Sequence, residues 1–285
     1  MEITMKITRR ALIRLMVYST IAVAGGAGYV FSKQLEVLRQ DLSLPGWPRS
    51  LNGLKIGMMA DFHAGSFTTR ADIQHAADVL MMERPDIIAL LGDYVDGFYS
   101  HHASNVDKGS YVFDILKELK APLGVYAVLG NHDHWTNRDR VMKELTKLPL
   151  RVLNNERVTL ASKLVVAGVD DWWEGPSDAQ KALVNLNPES FVLMLSHNPD
   201  VNLELRDDQQ VRLVLSGHTH GGQIRVPYFN IAPWVPCMPA YRGRAGLIRE
   251  SETRWTFITK GVGTFCIPVR LACPPDVGIV HLRRT

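Results

Sequence analysis

The chain has 285 residues, 46% apolar and 21% charged, which allows a sizeable core and excludes a disordered or fibrous class. Its formal charge of +3 sits at the start: without Lys6, Arg9, Arg10, Arg14 and Glu2, the totals of 32 basic and 29 acidic residues become 28 of each. A neutral body argues against nucleic acid as a partner, because phosphate backbones demand a basic surface. Three cysteines, Cys237, Cys266 and Cys273, form neither a disulfide framework nor a Cys-x-x-Cys zinc site.

Residues 1–31 read as an export signal or a membrane anchor. The cationic stretch Thr8-Arg9-Arg10-Ala11-Leu12-Ile13-Arg14 precedes an uncharged one from Leu15 to Phe31. The paired arginines resemble a twin-arginine export signal, with Arg14 where a lysine is usual. The apolar stretch is about 17 residues, the short limit for spanning a bilayer. Ala24 and Ala27 suit a cleaved signal equally. Positive charge before the stretch places the body outside the cytoplasm, at the membrane or exported.

Residues 32–53 read as a linker, with Pro45-Gly46-Trp47-Pro48 breaking any helix. From residue 54 a pattern recurs in which a short apolar run ends in a polar cluster. Lys55–Ala60 leads to Asp61 and His63, and Asp86–Leu91 to Gly92-Asp93. Val125–Leu129 leads to Gly130-Asn131-His132-Asp133, and Leu164–Val169 to Asp170-Asp171. Phe191–Leu195 leads to Ser196-His197, and Val211–Leu215 to Gly217-His218-Thr219-His220. Such runs predict strands buried on both faces. Helical spacing appears between them over Ala71–Glu83, Tyr111–Leu119 and Arg138–Leu148. Alternating strands and helices predict a layered α/β domain over 54–285. In such sheets ligands bind beyond the carboxyl ends of the strands, where these clusters lie.

Each cluster alone suits a turn or a helix N-cap. Together, Asp61-x-His63, Gly92-Asp93, Gly130-Asn131-His132-Asp133, Ser196-His197 and Gly217-His218-x-His220 resemble, in order and type, the calcineurin-like metallophosphoesterase family over about residues 54–282. The resemblance implies a β-sandwich core flanked by helices and two divalent ions. Asp61, His63 and His220 would hold one ion, Asn131, His197 and His218 the other, and Asp93 would bridge them. Imidazole, carboxylate and amide donors without thiolate suit Mn, Fe or Zn. The ions would lower the pKa of a bridging water, whose hydroxide attacks the phosphorus of a phosphoester substrate. His132 resembles the histidine that protonates the leaving oxygen, and Asp96 the aspartate that orients it, with Asp133 a second candidate.

Several features narrow the branch. Gly92-Asp93-Tyr94-Val95-Asp96 resembles the protein serine/threonine phosphatase motif, but Gly97 stands where that group places an arginine. Gly221-Gly222-Gln223, Lys260-Gly261-Val262-Gly263-Thr264 and Pro268-Val269-Arg270-Leu271 look like small bacterial phosphodiesterases. Some relatives resemble hydrolases of the pyrophosphate in UDP-2,3-diacylglucosamine, and others have become metal-bearing scaffolds without catalysis. Arg242 and Arg270 are candidate phosphate contacts. The aromatic stretch Tyr228–Tyr241 is a candidate apolar-substrate or bilayer contact.

Overall fold

A computed structural model describes residues 26, 28, 30–97, 104–160, 163–207, 209–226, 232, 241 and 243–285. The N-terminal stretch up to residue 25, His101, His102, Cys237, Arg242 and most of Tyr228–Tyr241 lie outside the described residues. Among the described residues no helix is long and apolar enough to cross a membrane. Cys273 is a buried free thiol.

Two six-stranded mixed sheets face one another. The first runs β1(Glu36–Leu44)–β12(Asp276–Arg284)–β2(Leu54–Met59)–β3(Ile87–Leu91)–β4(Val125–Val128)–β5(Arg151–Val152). The second runs β10(Gly246–Arg249)–β11(Trp255–Ile258)–β9(Val211–Ser216)–β8(Phe191–Leu195)–β7(Leu164–Gly168)–β6(Glu156–Thr159). Four helices, α1(Arg70–Met82), α2(Ser104–Gly109), α3(Tyr111–Leu116) and α4(Asn131–Leu145), follow strands of the first sheet, and α5(Ala179–Leu183) follows β7.

Period-two alternation sorts each strand between two cores. Ile87, Ala89 and Leu91 of β3 point between the sheets, against Leu193, Leu195, Leu213 and Leu215 of β8 and β9. Ile88 and Leu90 point outward, against Ile73, Ala76, Ala77 and Leu80 of α1 and Ile115 and Leu116 of α3. Val165, Ala167, Val192 and Met194 pack on the far side with Ala179, Ala182 and Leu183 of α5. With both faces covered, each central strand must be apolar at every position, which is why the runs read as unbroken.

The helix predicted over Ala71–Glu83 forms one residue earlier, because Thr69 and Asp72 make a capping box: Thr69 Oγ1 accepts from the Asp72 amide, and Asp72 Oδ2 from the Thr69 amide at 2.8 Å. The helix expected from Arg138 begins at Asn131, with extended backbone at Asn137 (φ −175°) inside it. Gly130 supplies the N-cap, and its amide donates to the Asp133 carboxylate at 2.9 Å, so the polar cluster after β4 is the first turn of α4.

The expected linker 32–53 is corrected. It contains β1, which pairs in parallel with β12 along its whole length, Glu36 opposite Asp276 and Leu44 opposite Arg284. Leu42 and Leu44 enter the inter-sheet core. Trp47 is fully buried there, its Nε1–H donating to the Leu51 carbonyl at 2.9 Å. The break at Pro45–Pro48 is real, but it ends a strand whose partner lies at the other end of the chain.

Candidate metal centre

β2, β3, β4, β8 and β9 end at the same edge of the sandwich, and the loops that follow carry Asp61 and His63, Asp93 and Asp96, Asn131 and His132, His197, and His218 and His220. All these side chains are buried. His63 Nε2 lies 3.1 Å from His220 Nε2, which is 3.4 Å from Asp61 Oδ1. His197 Nε2 lies 3.2 Å from His218 Nδ1 and 3.2 Å from Asp93 Oδ2, which is 3.6 Å from His63 Nε2. Two trios, Asp61–His63–His220 and Asp61–Asp93–His197, each bring three ligand atoms within reach of one ion. A third, His63–Asp93–His132, adds the histidine not expected as a ligand.

The donor set fits metal. Asn131 Oδ1 is buried with no hydrogen-bond partner, as is His63 Nδ1. His197 Nδ1 donates to the Leu91 carbonyl at 2.6 Å, which points Nε2 at Asp93 and His218 and makes it the nitrogen available to a cation. Burial pushes Asp61 up to about 7 and His63 down to about 4. Burial also opposes charge on His197, yet Asp93 beside it carries the imidazole up to about 10. The same burial opposes ionisation of Asp93, and His197 and His132 nevertheless hold it well below the usual carboxylate range. Protons therefore pair buried groups here that a cation would pair by displacing them.

The backbone around the centre is strained. Asp61 (φ 52°), His63 (44°), Asp93 (55°), His218 (67°) and His220 (48°) all adopt the left-handed region, at about 1–3 kcal/mol each. Nearby contacts hold them there. The His218 amide donates to both Asp61 carboxylate oxygens, at 3.0 and 3.1 Å. The His132 amide donates to Asp93 Oδ1 at 2.9 Å. Gly261 (φ +76°) lies so close to Asp61 that a Cβ there would sit 2.6 Å from the Asp61 Cβ.

His132 Nδ1 sits 3.4 Å from Asp96 Oδ1 and 3.4 Å from the Gly97 amide, which leaves Nε2 for the cavity. Gly97 packs against α4, where a Cβ would come 2.5 Å from Thr136 Oγ1. An arginine at that position would not fit this packing. Asp133 does not orient His132: its carboxylate accepts from the amides of Asp93, Tyr94 and Gly130, each at 2.9 Å, and so clamps the two loops together.

Arg270 is also corrected. The guanidinium is fully buried and donates to the carbonyls of Gly263 (2.6 Å), Lys260 (2.7 Å), Cys273 (3.2 Å) and His220 (3.3 Å), so it braces the loop behind His220 and is not offered to phosphate. Asp170, expected to close a loop, accepts from Arg138 at 3.1 Å and pairs with His134 Nε2 at 2.8 Å. Sequence reasoning missed the rim of the centre. Trp135, Trp173 and Phe265 line a cavity of about 40 Å³ together with Asp93, Asn131, His132, His218 and His220. Trp173 stands edge-on to His218 at 4.5 Å between ring centroids, and Phe265 edge-on to His132 at 5.4 Å. Three aromatics from helix α4 and two separate loops carry no spacing signal.

A family model for calcineurin-like phosphoesterases matches residues 54–222. The chain belongs to that family. Relatives extend the likeness of this metallophosphoesterase beyond the matched segment. An uncharacterized metallophosphoesterase of Aquifex aeolicus is 34% identical, over 81% of this chain and 85% of its own. The phosphodiesterase YaeI of Escherichia coli is 32% identical, over 93% and 95%. The UDP-2,3-diacylglucosamine pyrophosphatase LpxG of Chlamydia muridarum is 25% identical, over 90% and 91%. This metallophosphoesterase is a hydrolase of phosphoric esters, with a His/Asp cluster capable of binding metal.

Proposed function

We propose that this metallophosphoesterase cleaves phosphodiesters at a centre of two divalent cations. Asp61, His63 and His220 would hold one, Asn131, His197 and His218 the other, and Asp93 would lie between them. The observation that carries the reading is the convergence of buried ligand atoms from separate loops. His63 Nε2 and His220 Nε2 face each other at 3.1 Å, His197 Nε2 and His218 Nδ1 at 3.2 Å, and Asn131 Oδ1 is buried without a partner. The donors suit Mn, Fe or Zn. When bound, such ions supply Lewis acidity to the phosphoryl oxygens and acidify a water nucleophile.

The chain's own groups supply the rest. His132, its Nδ1 beside Asp96, presents Nε2 to the cavity as the proton donor to the leaving oxygen. Burial opposes a charge on His132, but Asp93 and Asp96 raise its pKa above the ordinary histidine value, which suits a group that must arrive protonated. Trp135, Trp173 and Phe265 wall the cavity and limit water around the phosphorus. The charged-then-apolar N-terminus supports a protein held at the membrane or exported.

Diesterase action is favoured by the likeness to YaeI over nearly the whole of both chains. The likeness to LpxG, also nearly end to end, favours a second reading, cleavage of the pyrophosphate of a UDP-linked lipid. The test is turnover of bis-p-nitrophenyl phosphate, p-nitrophenyl phosphate and a UDP-diacylglucosamine by protein loaded with Mn, Fe or Zn. Preference for a diester or the pyrophosphate supports the reading. Preference for the monoester, or activity that survives exhaustive chelation, overturns it.

A further inference from the structure

Gly28, at the described end of the uncharged N-terminal stretch, meets the loop that braces His220. The carbonyl of Gly28 accepts from the Arg270 amide at 3.0 Å, and Gly28 packs on Val269. The guanidinium of the same Arg270 donates to the His220 carbonyl at 3.3 Å. One residue thus joins Gly28 to a candidate metal ligand. The loop carrying Arg270 also carries Phe265, at the rim of the cavity, and Ile267.

Four large apolar side chains meet solvent on that face, beside the part-exposed Lys33–Asp72 ion pair. Val30 is 55% exposed, Phe31 38%, Phe67 39% and Ile267 42%. Phe67 and Pro268 border one depression with Ser32 and Lys33, which follow Phe31 directly. Exposed large apolar side chains grouped around a site mark an interaction surface. The occupant follows from where the chain leads: Leu15–Phe31 is an uncharged apolar stretch of near-membrane length, and its described end lies in this group.

We propose that this face lies on the bilayer, with the mouth of the metal centre turned toward it, and that the substrate is a phosphodiester carried by a membrane lipid. The inference rests on the phosphodiesterase reading and adds where the substrate comes from. Side chains such as Phe31 and Ile267 would enter the interfacial region, and the lipid's phosphate would reach the centre without leaving the membrane surface.

The test uses the full chain reconstituted in phosphatidylethanolamine–phosphatidylglycerol vesicles that contain the p-nitrophenyl ester of phosphatidic acid. Hydrolysis adds water across the P–O bond, giving phosphatidate, p-nitrophenolate and a proton. The soluble reference is bis-p-nitrophenyl phosphate, with the same leaving group, and the readout is the ratio of vesicle-borne to soluble turnover. Phe31→Asp combined with Ile267→Asp should lower that ratio at least about tenfold, the factor expected for withdrawing one well-buried apolar side chain from an interface. Met82→Asp should leave it unchanged. Met82 ends α1 next to Glu83, whose carbonyl accepts from Lys55 Nζ at the start of β2, the opposite end of the sheet from the centre. An unchanged ratio in the double variant, or an equal fall in Met82→Asp, overturns the proposal while soluble turnover keeps the phosphodiesterase reading. A wild-type protein that cleaves neither ester overturns both.

Discussion

Replacing Gly261 with alanine should loosen the metal centre without touching a ligand. Gly261 has φ +76°, and an added Cβ would lie 2.6 Å from the Asp61 Cβ, 2.9 Å from Oδ2 and 3.0 Å from Cγ. Asp61 cannot retreat, because the His218 amide holds both carboxylate oxygens and Gly217 closes the other side, 2.5 Å from Oδ2 at its Cβ position. Two costs follow: about 1–2 kcal/mol for a left-handed alanine, and about 1–3 kcal/mol for overpacking. Gly53→Ala separates them. Gly53 has φ +90° with nothing within 4 Å of an added Cβ, so it carries the backbone cost alone. Thermal unfolding of both variants, with saturating Mn²⁺ and with chelator, reads the difference. Displacing Asp61 should weaken metal binding about 10–100-fold, comparable to the loss of a group that orients a ligand. The metal-induced rise in Tm should therefore persist in Gly53→Ala and shrink in Gly261→Ala. An equal rise in the two variants would refute the claim that Gly261 positions Asp61 for metal.

His132→Ala should retain its metal and lose about 10²–10⁴-fold in kcat on esters with poor leaving groups, with a smaller loss on p-nitrophenyl esters; metal analysis beside the two rates checks this. Asp133→Ala removes the acceptor of three buried amides and should destabilise the fold by at least about 1–3 kcal/mol, the cost of leaving a buried donor unpaired, measured by denaturant unfolding. Asp170→Ala leaves His134 and Arg138 without their shared carboxylate. It should cost about 1–3 kcal/mol of stability with metal content unchanged, because Asp170 holds the start of α4 and no ligand directly.

Much of this architecture was legible in the sequence because the central strands are buried on both faces. β2, β3, β4, β7, β8 and β9 each read as an unbroken apolar run, and the candidate ligands lie where all but the β7 run stop. β1 escaped notice because its nine residues alternate only weakly and its partner, β12, lies more than 200 residues away, a pairing that no local window contains. The start of α4 was hidden by Asn131, His132 and Asp133, residues that read as loop but sit in a first helical turn capped by Gly130. Arg270 shows the limit of reading a residue by type. A guanidinium near a phosphoesterase motif suggests phosphate, and only the surrounding carbonyls reveal a brace. The aromatic rim needed the fold itself, since Trp135 of α4 meets Trp173 and Phe265 from two separate loops.

The measurement that bears most directly on this account is the number of divalent ions bound per chain. It is taken on the full protein after loading with Mn²⁺ and removal of excess, alongside Asp93→Asn. Two ions in the wild type and one or none in the variant are the predicted result. A wild-type chain that holds one ion or none while hydrolysing bis-p-nitrophenyl phosphate at full rate would contradict it.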